Sequence, residues 1–436
     1  MLAILEPIIE PWSLSALETY WPVIVQGMLV SLSLGLIGCF LVVRGTALLG
    51  DALSHSVLPG IVVGFLIGGS LHSPWILVGA TVMGLLAATL VQSVHTQSRV
   101  KEDASLGIVF TALFALGVVM INKYAGQADL DPGCVLYGNI ESFVSFDGEV
   151  PPGVWPMFGV FCGIVVLLVV FYRQLLVSTF DPALAVSLGI RAGMVHYGLM
   201  AVLSLAVVTS FEAVGAILAV ALLIMPGATA RVWTDRMPAM LMIACAHAIA
   251  STLLGYWLGH RAVINTSASG AISMAGFGLF LLSWLFSPHA GLVTRMLSRR
   301  HLAQMIATEN LLKTIGEMAD GAKGNMVPEA ALASELRVGP SSLASRLGRA
   351  YRSGWLRRDG GEVSLTAEGQ SESARLTRAH LLWEKYLHEQ LGIAPDHVHD
   401  AAEWIEHHLT QEKVERLDEL LRKNPGEAAG AGDAKE

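Results

Sequence analysis

Nine stretches of this sequence are long and apolar enough to be read as membrane-crossing helices, and that dictates most of what the chain can fold into. A bilayer core of roughly 30 Å takes about 20 mostly apolar residues in a helix, because backbone groups in lipid must bond one another. Such runs fall at 22–43, 52–69, 75–93, 104–122, 153–172, 194–209, 213–226, 238–258 and 267–287. Mean hydropathy over all 436 residues is +0.56, with only 15% charged residues, far from a water-soluble composition. Small residues recur inside the runs, as in "GVFCGIVV" and "SGAISMAGFG", which lets helix backbones approach closely in lipid.

Lysine and arginine in short loops set orientation. Threading the runs puts Arg44, Arg99, Lys101, Arg173, Arg191, Arg231, Arg236, Arg295, Arg299 and Arg300 on one side, against Lys123 and Arg261 on the other. The C-terminus is therefore expected in the cytoplasm, and the longest outside connection is the acidic segment 123–152. The N-terminal stretch has no Lys or Arg before the first run, so a cleaved signal peptide is not expected. Cys39, Cys134, Cys162 and Cys245 form no CxxC pair and no disulfide framework.

The composition changes near Arg299. Residues 1–298 hold 10 Lys+Arg and 14 Asp+Glu, and the remaining 18 and 22 crowd into 299–436. Both parts are net acidic, which excludes nucleic-acid binding by bulk charge and leaves only local patches. After Arg300 the pattern becomes that of soluble amphipathic helices. "HLAQMIATENLLKTIGEMAD", "PEAALASELRV" and "GPSSLASRLGRAYRSG" read as three helices, the last capped by Ser341 or Ser342. "WLRRDGGEVSLT" reads as a hairpin around Asp359, Gly360 and Gly361. Three helices and a hairpin make a winged helix-turn-helix pattern, and helices are expected next at 366–391, 396–409 and 411–424. The fold class is thus an all-α polytopic membrane protein fused to an α+β winged-helix domain and a helical region. The expected divisions are 1–298, 299–366, 367–424 and a disordered 425–436.

An ionisable residue at membrane depth costs several kcal/mol unless it is paired, hydrated or bound to an ion. In "GDALSHSVLPGIVVGFLIG" Asp51 and His55 are four residues apart, so a carboxylate and an imidazole share one helix face, as a divalent cation requires. The plainer alternative is that Asp51 caps the helix and His55 bonds a carbonyl. His247, among the small residues of "ACAHAIAST", is the other intramembrane candidate.

These residues carry a resemblance. "GDALSHSVLPGIVVGFLIG" together with "TSFEAVGAILAVALLIMPGATARVWTDRM" resembles the membrane permease of the manganese, zinc and iron ABC importer family over about 20–290. The resemblance implies two permease copies or homologues around a central path in a bacterial inner membrane, two cytoplasmic ATPases and an extracytoplasmic metal-binding protein. It places the transported ion at Asp51 and His55, and less directly at His247. It makes Gly227, Ala228, Thr229, Arg231, Asp235 and Arg236 part of a cytoplasmic coupling loop for the ATPase. The chain has no GxxxxGK[ST] phosphate cradle, so ATP hydrolysis is expected on a separate subunit, with no organic cofactor here.

The second constellation lies past residue 366. His380 and Glu384 stand at i,i+4, followed by His399, Glu403, Glu406 and His407 on the next expected helix. Histidines and carboxylates without cysteine suit Mn(II), Fe(II) or Zn(II), and an amphipathic polar face would look similar. This pattern, with "PSSLASRL" before it, resembles the iron- and manganese-dependent winged-helix repressors over about 302–424. The resemblance implies a metal-binding and dimerisation region. It also implies ligands on the first helix, where Asn310 and Lys313 stand, and a cation at Lys313 opposes a metal. Ser341, Ser342, Arg346 and Arg349 are the candidate nucleic-acid contacts on an otherwise acidic domain. The leading reading is a metal-importer permease with a cytoplasmic metal sensor that regulates transport, and the alternative is a membrane-anchored metal-dependent transcriptional regulator.

Overall fold

The computed structural model describes residues 10–70, 73–124, 138–145, 149–260, 263–320, 326–391 and 411–423. The chain divides into two compact units, Met1–Thr294 and Arg295–Glu436.

In the first unit, α1 (Leu14–Arg44) starts at Ser13, whose hydroxyl accepts the Ala16 N–H, and stops at Gly45 with φ 73°. Most of its middle is buried, because α6, α8 and α9 all pack against it. The next span is interrupted. α2 (Leu48–Ser56) and α3 (Leu58–Gly68) meet at Val57, where Pro59 in the first turn of α3 has no N–H to continue the ladder. Then follow α4 (Pro74–Gln97), α5 (Glu102–Tyr124), α6 (Val154–Phe180), the short α7 (Pro182–Ser187), α8 (Ala192–Trp233), α9 (Met237–Gly259) and α10 (Ala268–Phe286).

The 42 residues of α8 are too many for one crossing. Gly215, at φ 73° and ψ 167°, interrupts the helical backbone, and the stretches Ala192–Phe211 and Ala213–Trp233 are each long and apolar enough to cross a membrane. Gly138, also at positive φ, lies so close to this break that a side chain on it would overlap the Val214–Gly215 peptide. Counting the two halves, and α2 with α3 as one, nine stretches among the described residues are long and apolar enough to cross a membrane. They match the nine apolar runs of the sequence.

The second unit begins within α11 (Leu292–Asp320) and continues through β1 (Val327–Pro328), α12 (Glu329–Glu335), α13 (Pro340–Arg352), β2 (Leu356–Asp359) and β3 (Glu362–Leu365). α14 (Ala367–Leu391) and α15 (Gln411–Lys423) complete its described part. The sheet order is β1-β3-β2, antiparallel, with Leu356 opposite Leu365 and Val327 opposite Val363. Leu311, Leu312, Ile315, Leu332, Leu347 and Val363 form one core between helices and sheet. This is the expected winged-helix arrangement with two differences. β1 is a third strand that its two residues were too short to announce, and α13 is capped by Gly339 with Pro340 after it, not by Ser341 or Ser342. The helix expected at 396–409 and the segment 425–436 lie outside the described residues.

Candidate ion path and cytoplasmic metal site

Asp51 and His55 stand on α2, whose other face, Leu49, Ala52, Leu53 and Ser56, is buried. That amphipathic split leaves the acid and the imidazole together on the accessible side, 47% and 26% exposed. His55 Nε2 lies 3.6 Å from Asp51 Oδ1. A tetrahedral cation with bonds of about 2.1 Å holds adjacent donors roughly 3.4 Å apart, so the two atoms are spaced as ligands of one ion. The imidazole is steadied by aromatic rings of α5, with centroids 5.5 Å away at Phe114 and 6.1 Å at Phe110. The N-cap position of α2 is held by Ala47, which offers no side-chain cap, and Asp51 stands in the first turn, so Asp51 is not the N-cap residue.

His247 is elsewhere. It is 6% exposed on α9, which packs on α10, α1 and α8, whereas α2 packs on α5, α8 and α4. Within one chain the structure therefore joins Asp51 to His55 and leaves His247 in a different seam.

The expected coupling loop is mostly helix. Gly227, Ala228, Thr229 and Arg231 lie in the last turns of α8, which runs to Trp233, and the turn proper is Thr234–Arg236. Gly227 packs on Gly38 and Cys39 of α1, and Thr229 is buried, so neither faces a partner. The end of α8 and the turn after it expose Arg231, Trp233, Asp235 and Arg236. Arg231 pairs with Asp235 at 2.6 Å and His289 reaches the same carboxylate at 2.9 Å. Beside this turn an apolar groove runs between Phe180 and Leu184 on one wall and Met237 and Met242 on the other. Its neighbour α7 exposes Leu184 and Val186, with Leu188 just after it. Sequence reading missed α7 because six residues carry no helical period.

In the second unit, His380 is 5% exposed and its Nε2 lies 3.0 Å from Glu384 Oε1, which sets the i,i+4 pair on one face of α14. Ser373 on α14 donates to the Leu312 carbonyl, and Gly316 closes on Ser373, so the stripe 309, 312, 316 of α11 faces α14. Asn310 Oδ1 is buried with no hydrogen-bond partner. Glu309, passed over in the sequence, is buried on that stripe, but among the described residues no three His, Cys, Asp or Glu side chains come together to hold a metal ion. His399, Glu403, Glu406 and His407 lie outside the described residues.

The candidate nucleic-acid face is uneven. Ser341 and Ser342 are exposed at the start of α13, and Arg346 is half-buried. Arg349 spends its guanidinium inside the fold, on Thr308 Oγ1 at 3.0 Å and Ser345 Oγ at 2.8 Å. On the wing, Arg358 pairs with Glu329 at 2.8 Å.

A bundle of membrane-crossing helices that holds a carboxylate and an imidazole within ligand spacing is the build of a permease. Comparison with known proteins agrees and specifies which kind. The chain belongs to the ABC 3 transport family, whose profile matches residues 16–287, and so to a family of transporters, not of catalytic enzymes. A second profile, the iron dependent repressor metal binding and dimerisation domain, matches residues 366–426. The chain is 41% identical over 282 residues to the manganese transport system membrane protein MntC of Halalkalibacterium halodurans, covering 64% of this chain and 91% of that protein. It is 35% identical over 355 residues to the zinc transport system membrane protein TroD of Treponema pallidum, covering 80% of this chain and 96% of that protein. Among solved structures, PsaBC from Streptococcus pneumoniae in complex with Fab aligns with TM-score 0.57 and 30% identity, over 69% of this chain and 100% of that one.

Proposed function

We propose that the chain is the permease subunit of an ATP-driven importer that carries divalent transition metal ions inward, Mn(II) first, with Fe(II) and Zn(II) as close alternatives. The observation that carries this is the 3.6 Å spacing of Asp51 Oδ1 and His55 Nε2 within a membrane-crossing segment. A lone acid there is costly, and a passing dication offsets that cost for both groups at once. The names of the similar proteins, manganese, zinc and probable iron transport system membrane proteins, support the cargo class.

The arginine-rich end of the bundle is then cytoplasmic in a bacterial inner membrane, and a separate ATPase subunit docks on it. Exposed Arg231, Asp235 and Arg236, next to the apolar ledge of α7, offer the charged and apolar groups such a partner needs. A second permease copy or homologue completes the path, and an extracytoplasmic metal-binding protein delivers the ion. The second unit acts as a metal-responsive brake. Its described half-site, His380 with Glu384, has the donor chemistry for Mn(II), Fe(II) or Zn(II). The DNA-binding alternative loses support from Arg349 and Arg358, both engaged within the domain.

The test is metal uptake into vesicles reconstituted with the permease and its ATPase. Asp51→Ala and His55→Ala each abolish uptake while the ATPase stays bound. Uptake at the wild-type rate in both variants refutes the assignment.

A further inference from the structure

We infer that the first turns of α11, from Leu292 to Arg300, lie on the bilayer surface and bind acidic phospholipid. The inference needs the membrane-crossing helices described above and nothing of the metal-transport reading.

α11 opens at Leu292, just after α10 ends at Phe286. Thr294 Oγ1 donates to the Ser287 carbonyl at 2.9 Å, so the first turn of α11 is tied to the end of a membrane-crossing helix. From Ser287 to Thr308 the sequence holds Arg295, Arg299 and Arg300 and no acid, in a chain of net charge −8. All three arginines are exposed. Among the described residues none of them has a hydrogen-bond or ion-pair partner.

Positive charge beside a membrane helix orients the chain, and by itself that calls for no bound lipid. What exceeds this need is the apolar side chains set among the arginines. At about 100° per residue, Leu292, Val293, Met296 and Leu297 fall within one arc of roughly 140°. Leu292, Met296 and Leu297 are 38%, 47% and 60% exposed, on a helix that has left the apolar spans behind. Arg295 and Arg299 border that arc and Arg300 continues it one turn on, from where long side chains reach headgroups while their stems stay on apolar surface. Thr294 and Ser298 take the opposite side.

A strip that mixes free guanidiniums with exposed apolar side chains names its partner. A nucleic-acid backbone would meet the arginines and leave Met296 and Leu297 in water. An acidic bilayer surface takes the charges at its phosphates and the apolar side chains just beneath them. Neither signal holds a segment firmly alone, and here both fall on the same two to three turns. The contact gives the acidic-lipid content of the membrane a hold on the second unit, whose chain continues from this helix.

The test is hydrogen exchange over 292–304 of the full-length protein in nanodiscs of phosphatidylcholine, alone or mixed with phosphatidylglycerol. Exchange is expected to be at least about tenfold slower in the acidic nanodiscs, because contact suppresses local opening of the helix. In 1 M salt, where charges are screened beyond about 3 Å, the difference between the two lipids should vanish. It should also vanish in Arg295→Gln with Arg299→Gln and Arg300→Gln, and shrink in Met296→Ser with Leu297→Ser. These side chains are exposed, so the variants keep the fold, which unchanged exchange in α9 checks. Equal exchange in the two lipids, slow or fast, overturns the inference, and so does slowing that survives the arginine substitutions. Slowing by added duplex DNA but not by phosphatidylglycerol would overturn it in favour of a nucleic-acid face. Metal uptake is not read in this experiment, so failure of the transport reading leaves its result standing.

Discussion

Arg44 donates its guanidinium to Nδ1 of His196 across 3.3 Å, although 152 residues separate the two in sequence. An arginine has no acceptor, so Nδ1 must accept and the imidazole proton sits on Nε2. The same side chain donates to Thr179 Oγ1 at 3.1 Å and to Ser178 Oγ at 3.0 Å. One residue thereby gathers the ends of α1, α6 and α8, brackets α7 on both sides, and stands only seven positions before Asp51. Arg44→Ala should lower the melting temperature of the purified protein, through a loss of about 1.5–3 kcal/mol for hydrogen bonds made by a charged donor. Arg44→Lys should recover only part, because an ammonium cannot span three acceptors arrayed around a planar fork. Coincident melts of wild type and Arg44→Ala would dismiss the clamp.

α1 and the second half of α8 touch backbone to backbone at Gly38, where any Cβ would overlap the Leu223 carbonyl. Leu223 also fills the space over Gly50, the residue before Asp51. Gly38→Ala must push these helices apart, and overpacking of this kind costs typically about 1–3 kcal/mol. Gly278→Ala on α10, where nothing stands within 4 Å, is the control. The expected result is reduced folded yield and an earlier melt for Gly38→Ala alone. Equal behaviour of the two variants would mean that the close approach does not matter.

The apolar spans were legible because each must satisfy its own backbone, which forces a long apolar run into the sequence wherever the chain crosses. The i,i+4 relation of Asp51 and His55 was legible for the same local reason. What was hidden is everything set by helices meeting out of sequence order. Periodicity says nothing of Arg44 reaching His196 or of His247 packing away from α2. The extent of the turn after α8 was misread because polar residues ended the apolar run at Pro226, while "ATARVW" still has helix-forming residues that continue to Trp233. Glu309 escaped notice because a buried acid beside an apolar stripe looks, in sequence, like any surface acid.

The turn after α8 carries a pH signature. The Asp235 carboxylate is held below its usual range, first by the hydrogen bond from His289 and then by the charge of Arg231. A carboxylate lowered by folding contributes stability that is present above its unfolded value and is lost as pH falls through the folded one. The wild-type advantage over Asp235→Asn should therefore hold at neutral pH and shrink only below about pH 4, where carboxylates titrate. Melting profiles of the two proteins against pH measure it. An advantage that persisted undiminished in strong acid would show that charge on Asp235 is not its source.

The cytoplasmic half-site offers a separable prediction, because His380 lies in the second unit and the Asp51–His55 pair in the first. If metal at His380 and Glu384 restrains transport, substituting the imidazole should abolish restraint without touching conduction. His380→Ala is expected to leave uptake at low external metal unchanged in reconstituted vesicles. Vesicles loaded with metal on the ATPase side should slow the wild type and not the variant. Glu384→Ala should behave alike, since the two groups lie 3.0 Å apart and neither alone makes a chelating pair. A variant slowed as strongly as the wild type would separate this unit from transport control, whereas one inactive at low metal would show that His380 supports the fold and not the brake.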